Sequence, residues 1–343
     1  MTRQINKALR DCIERFKAYP KTKRFNEGDL FPDDILPLVE RMRRYTIWNV
    51  DDSDREMLDD TDLLEDLFYI LNNGLNKDAV NLAAIFLRQL YITTRDNQIP
   101  ERIINRLLEN KLDEKRTCQL LYAIPPGVDG LHRLKPFLED VSKHVRRMAL
   151  DVIYTSRSKK IRPLIENVLR NSPSSHELLV AMISIKKVGN KDSVEVIKPY
   201  LHHKSGEVQS DALFAIAVIL GDEGNQLYID ALLDRKYREK HQAVLIIVEH
   251  CGDEAIPALS RRIKTILSGK RLSVGHHADG HTELTTALEF LLKFEGDKTV
   301  ESTFKYVTRK LDKLTEQERE YLSQKQPAFY QAIISGQAAD GTR

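Results

Sequence analysis

Three groups of side chains in this 343-residue sequence carry enough polar chemistry to bind or react. The first lies in SGKRLSVGHHADGHTE, which brings together His276, His277, Asp279, His281 and Glu283, residue types that ligate divalent metals. No helical pattern fixes their geometry, so the segment reads as a polar binding loop, with His277 facing a partner and no metal bound. The second is DDSDREMLDDTDLLED, residues 51–66, with nine acids, one arginine and a local charge of −8. Trp48, the single tryptophan, stands just before it. Trp48 with Asp51, Asp52, Asp54, Asp59 and Asp60 reads in two ways: a solvated acidic linker entering a helix, or an acidic patch with an aromatic anchor suited to a basic partner. The third group is basic. Arg261, Arg262, Lys264, Lys270 and Arg271 crowd one helical pattern, with Lys159, Lys160 and Arg162 upstream and Lys305, Arg309, Lys310 and Lys313 downstream. On one surface these would form a strip able to follow a phosphate backbone. Glu166, Glu195, Asp230, Asp234 and Glu301 fall on or beside the same patterns, and no aromatics interleave for base stacking, which counts against that use.

Catalytic arrangements are scarce. His176–Glu177 is the only His-Glu pair, and it opens a helical pattern where glutamate is an ordinary first-turn residue. His250 and Cys251 are adjacent, but they close a helical pattern just before Gly252. There is no phosphate-cradling glycine loop and no nucleophile motif. We expect no catalytic residue and no cofactor.

The elements that position these groups announce themselves by a small residue on a regular beat. In the pattern apolar–small–x–x–apolar–apolar, the small slots are Ala84, Cys118, Ala149, Ala181, Ala212, Ala243 and Ala287, at intervals of 34, 31, 32, 31, 31 and 44. A period near 31 suits two packed helices with their turns. A small side chain lets two helices cross closely, and the apolar residues around it supply a stripe that only a neighbouring helix pair can bury. Gly189, Gly221, Gly252 and Gly296 are placed to end first helices, Asp192, Asp222, Asp253 and Asp297 to cap second ones, and Pro136, Pro163, Pro199 and Pro257 fall early in second helices. The interval of 44 marks the histidine-bearing insertion.

Composition fits this reading. Hydrophobic residues make up 41% and charged residues 30% of the chain, which describes a folded protein, and a net charge of +2 gives no overall pull toward nucleic acid or acidic membranes. The three cysteines, Cys12, Cys118 and Cys251, are too scattered for a disulfide framework or a zinc site. Cys118 takes the small slot of its repeat. The amphipathic start, MTRQINKALRDCIERF, has no signal-peptide core, and the longest apolar run, 213–220, cannot cross a bilayer. The expected location is the cytoplasm.

The mid-helix small residue, the Gly-Asp turn and the early proline together resemble bacterial HEAT repeats, most clearly over 142–268. The resemblance implies an all-α, right-handed α-solenoid of about seven to eight antiparallel helical hairpins, with second helices lining the concave side. Residues 1–75 lack the marks and read as an irregular N-terminal cap, with helices near 4–18, 31–45 and 60–73. Residues 76–311 hold the repeats with an inserted loop at 268–283, residues 312–335 form a capping helix, and 336–343 a flexible tail. Enzymes built on such repeats need features missing here: deoxyhypusine hydroxylases several His-Glu pairs for iron, alkylpurine DNA glycosylases an aromatic cleft with a catalytic carboxylate. The expected function is therefore non-catalytic protein binding through Trp48, the five aspartates, Arg261, Arg262, Lys264, Arg271 and His277. Within the family this resembles bacterial immunity proteins that occlude a basic toxin. A nucleic-acid binder using the basic strip, and a glycosylase-like or metal-dependent enzyme, are the alternatives.

Overall fold

A computed structural model of the chain describes residues 11–15, 17–18, 20–21, 61–74, 76–109, 112–270 and 281–340. The described residues are all-helical, with seventeen α-helices from Thr61 onward, helical residues at 11–15, and no strand. Contacts group them into two compact units, 1–168 and 169–343.

The first unit holds α1 (Thr61–Asn73), α2 (Lys77–Thr94), α3 (Gln98–Glu109), α4 (Glu114–Ala123), the short α5 (Lys135–Leu138) and α6 (Lys143–Ile153). Helix α7 (Arg162–Asn171) runs across the division. Asn76 starts α2 by accepting from the Asp78 and Ala79 N–H groups at 2.9 and 3.3 Å. Helices α2, α4 and α6 pack in succession, each burying an apolar stripe on the next. Arg116 of α4 reaches back to the open end of α1, donating to the Leu71 and Gly74 carbonyls at 2.8 Å each. Burial pushes its guanidinium pKa below the usual value, opposed by the nearby charge of Asp113.

The second unit continues with α8 (Ser175–Val188), α9 (Ser193–Ile197), α10 (Gly206–Leu220), α11 (Asn225–Leu233), α12 (Lys240–His250), α13 (Ile256–Ser268), α14 (Glu283–Leu291), α15 (Lys298–Thr308), α16 (Glu316–Lys325) and α17 (Pro327–Asp340). Two rows run through it. First helices pack in the order α8, α10, α12, α14, and second helices in the order α11, α13, α15, α17. A buried amide ties two turns together: Gln209 donates to the His203 and Lys236 carbonyls at 2.7 and 3.2 Å and accepts from the Arg238 N–H at 2.8 Å. Lys240 closes α11 as Arg116 closes α1, donating to the carbonyls of Ala231, Leu232 and Asp234 at 3.0, 2.7 and 2.5 Å.

Several sequence expectations change in detail. Ala149, Ala181, Ala212, Ala243 and Ala287 are fully buried, but Cys118 is only half-buried and Thr117 is 6% exposed. Thr117 precedes Leu120 and Leu121 at the spacing by which Ala149 precedes Val152 and Ile153, so the small slot of α4 is one residue earlier than its most thiol-like candidate. Of the four turn glycines, Gly221 and Gly296 have positive φ, at 53° and 95°, whereas Gly189 and Gly252 do not. Asp297 alone caps as expected, accepting from the Thr299 and Val300 N–H groups at 2.7 and 3.0 Å. Asp192 and Asp253 make no such cap, and Asp222 meets His250 instead. The expected single C-terminal helix is two, α16 and α17, because Pro327 cannot continue the first. Helix α17 continues to Asp340, through most of the expected tail. At the other end, 11–15 and 61–73 are helical, and the expected helix at 31–45 lies outside the described residues.

Gly224 shows how tightly the turn between α10 and α11 is packed. The buried Tyr228 side chain lies across it and donates its hydroxyl to the Gly221 carbonyl at 2.7 Å, so a Cβ at 224 would overlap the phenol. We expect Gly224→Ala to destabilise the protein by about 1–3 kcal/mol, the usual cost of overpacking, measured as a lower urea midpoint. Burial, followed by the neighbouring Cys251 and Asp222, pushes the Tyr228 pKa from 10.0 up to about 12. A raised folded-state pKa stabilises fully below the unfolded value and is lost as pH climbs through the folded one. The stability advantage over Tyr228→Phe should therefore hold below pH 10 and decline from pH 10 to about 12 in chemical denaturation.

Candidate functional site

Second helices of the second unit carry two grooves of opposite character. The larger, about 670 Å³, lies between α9 with its 3-10 extension (Lys198–His202) on one side and α11 on the other. Its apolar lining includes Val194, Leu201, Leu227 and Ala231, with Tyr237 at one end. Four carboxylates, Glu195, Glu223, Asp230 and Asp234, line it against two lysines, Lys191 and Lys198, a net charge of −2 over these six side chains.

Three of these acids already hold partners. Lys191 pairs with Glu223, Lys198 with Glu195 and His202 with Asp234, each at 2.5 Å and each on exposed side chains where such pairs exchange readily with water. Asp234 also accepts from the Lys236 N–H at 2.8 Å. That bond, then the His202 contact, holds its carboxyl below the usual range despite partial desolvation. Asp230 accepts from the neutral Gln226 amide at 2.8 Å and has no cationic partner among the described residues. The Tyr237 hydroxyl is fully buried and has no hydrogen-bond partner, which leaves a donor at the end of an acidic groove. Desolvation raises its pKa and keeps it protonated at neutral pH.

The smaller groove, about 450 Å³, lies between α13 and α15 and is lined by Arg261, Lys264, Ser260 and Tyr306 among others, with no carboxylate. Arg261 and Lys264 are two of the residues expected to meet a partner. Arg262, also expected there, is not: its guanidinium is held by Glu283 of α14 at 2.5 and 3.0 Å. Consecutive helical residues point about 100° apart, and here that rotation turns Arg262 toward α14 while Arg261 faces the groove. The expected basic strip is thus broken on the second-helix face of this unit by the acidic groove.

Other sequence expectations fall as follows. Trp48, Asp51, Asp52, Asp54, Asp59, Asp60, Arg271 and His277 lie outside the described residues, as do His276 and Asp279. The described end of the acidic segment is held in ion pairs: the exposed Glu65 forms a two-pronged bond with Arg102 at 2.6 and 3.0 Å, and Asp66 pairs with Lys17. Of the histidine-bearing insertion, His281 packs its ring near His241 and Tyr321, and Glu283 is occupied by Arg262. Among the described residues, no group of three or more His, Cys, Asp or Glu side chains could hold a metal ion. His250 meets Asp222 at 3.1 Å rather than Cys251, whose thiol is pushed up to about 12 by burial and two nearby acids. Glu177 is buried and accepts from the Ser172 hydroxyl at 2.6 Å. Among the described residues, no helix is long and apolar enough to cross a membrane.

No family model matches the chain, and no curated protein matches it either. The acidic groove is the feature that sequence reading missed. Its carboxylates come from two hairpins, and the only signal was the presence of Glu195, Asp230 and Asp234 on second-helix patterns.

The Arg262–Glu283 pair is about three-quarters buried on each side, with 24% and 20% of the side chains exposed. A double-mutant cycle with Arg262→Met and Glu283→Gln should give a coupling of about 1 kcal/mol in urea unfolding. Thermal shift of the same variants checks that both still fold.

Proposed function

We propose that this chain is a non-catalytic protein-binding module, a HEAT-like α-solenoid that grips a basic segment of a partner along its second-helix face. The observation that carries this reading is the groove between α9 and α11: an apolar floor, four carboxylates against two lysines, an Asp230 with no ionic partner among the described residues, and one buried hydroxyl without an acceptor. A lysine or arginine next to an apolar residue meets the first three of these features, because its charge satisfies Asp230 while the neighbouring side chain covers the floor. Support for the solenoid comes from two rows of helices, each packed on the next, and from buried alanines at the small slots. The immunity-protein reading is the narrower form of this proposal, with a basic toxin as the partner, and it draws on the Asp51–Asp60 acids as a second contact.

The test is isolation of the natural partner with intact chain, followed by calorimetry. Asp230→Lys with Glu195→Lys should weaken the complex by tenfold or more, while the melting temperature stays near wild type, since Glu195 pairs only with a solvent-exposed lysine. Replacing Asp51, Asp52, Asp54, Asp59 and Asp60 by asparagine separates the two acidic regions. Unchanged affinity in the groove variant contradicts the reading. Tight duplex DNA binding with a steep salt slope would favour the nucleic-acid alternative, and stoichiometric iron in the purified protein would favour the enzyme.

A further inference from the structure

The second groove differs from the first in every respect that decides ligand chemistry. Arg261 and Lys264 sit three residues apart on α13, the spacing that puts two helical side chains on one face. Neither has a carboxylate partner among the described residues, and no acid lines the groove. Asp297, at the start of the facing helix α15, is committed to the Thr299 and Val300 N–H groups and lies outside the lining. Two cations with no counter-charge therefore face a cleft of about 450 Å³.

Ser260 adds a second, independent observation. It is 2% exposed, lines the groove, and its hydroxyl has no hydrogen-bond partner. Helical serines and threonines elsewhere in this unit donate back to their own helix: Ser184 to Val180 at 2.9 Å, Thr303 to Thr299 at 2.7 Å and Thr265 to Arg261 at 2.8 Å. Ser260 does not, so its donor is left for something in the groove. A buried unpaired hydroxyl destabilises the free protein, a cost removed when an acceptor arrives. Tyr306 supplies a further hydroxyl from the opposite wall.

We propose that this groove binds the phosphate monoester of a phosphorylated serine or threonine on a protein partner. The lining charge of +2 matches a phosphate dianion. A tetrahedral group with three terminal oxygens can accept from Arg261, Lys264 and Ser260 together, which a planar carboxylate with two oxygens does less completely. A single tyrosine offers no ladder for stacked bases, so a protein phosphate fits better than a nucleic-acid backbone. This site uses none of the residues of the acidic groove, and either can fail without the other.

The experiment titrates the full chain with the peptide acetyl-Ala-Ala-pSer-Ala-Ala-amide, its unphosphorylated form and inorganic phosphate, read by calorimetry and by the phosphorus NMR shift. The phosphopeptide should bind saturably, and at least tenfold more tightly than either control. Arg261→Gln and Lys264→Gln should each weaken it by about tenfold. Ser260→Ala should weaken it severalfold while leaving the melting temperature equal to or above wild type, because it removes an unpaired buried hydroxyl; a merely structural serine would lower it. Absence of saturable binding at millimolar peptide overturns the proposal. So does a phosphopeptide affinity untouched by all three variants, or inorganic phosphate bound as tightly as the peptide. A 12-base-pair DNA duplex that displaces the phosphopeptide with a steep salt slope would assign the groove to nucleic acid instead.

Discussion

The volume allowed at one position of each first helix governs the rest of this molecule. Ala149, Ala181, Ala212, Ala243 and Ala287 have no exposed surface, and each sits in a helix that packs on the equivalent helix before or after it. A side chain larger than alanine there would force helix axes apart and open gaps in the apolar stripe on both sides. In α4 the buried residue at the corresponding spacing is Thr117.

That packing leaves second helices with spare faces, and these faces hold the grooves. Where α9 is short and passes into a 3-10 turn at Lys198–His202, α11 has no full-length neighbour on that side, and the acidic groove occupies the gap. Where α13 and α15 are both long, the space between them is narrower and its chemistry is set by the groove-facing residues Ser260, Arg261 and Lys264. Long-range connections elsewhere are closed: Arg116 and Lys240 each cap the end of another helix, and Gln209 locks two turns. Among the buried side-chain atoms without a partner, those of Tyr237 and Ser260 belong to residues that line the two grooves.

The helices were legible in the sequence wherever their marks are composition-level: buried alanines, early prolines and the apolar pattern all correspond to observed elements. Finer marks failed for physical reasons. Cys118 and Thr117 are both small, so pattern alone cannot choose between them; packing does. Glycine at a helix end need not take positive φ, and at Gly189 the reason for glycine is steric, since a Cβ would press on the Ile185 carbonyl and the Ile219 side chain. Arg261 and Arg262 look equivalent in sequence but point to different neighbours. The acidic groove was invisible because Glu195 and Asp230 belong to different hairpins and only stacking unites them. Unpaired hydroxyls have no sequence signature at all.

We propose that the partner lies in the second-helix groove of the second unit. Hydrogen–deuterium exchange of the chain with and without its co-purified partner tests this most directly. The account predicts slowed exchange in 191–202 and 223–237, with first helix 206–220 unchanged. Protection confined to 206–220 or to the first unit, with the groove segments unaffected, would contradict it.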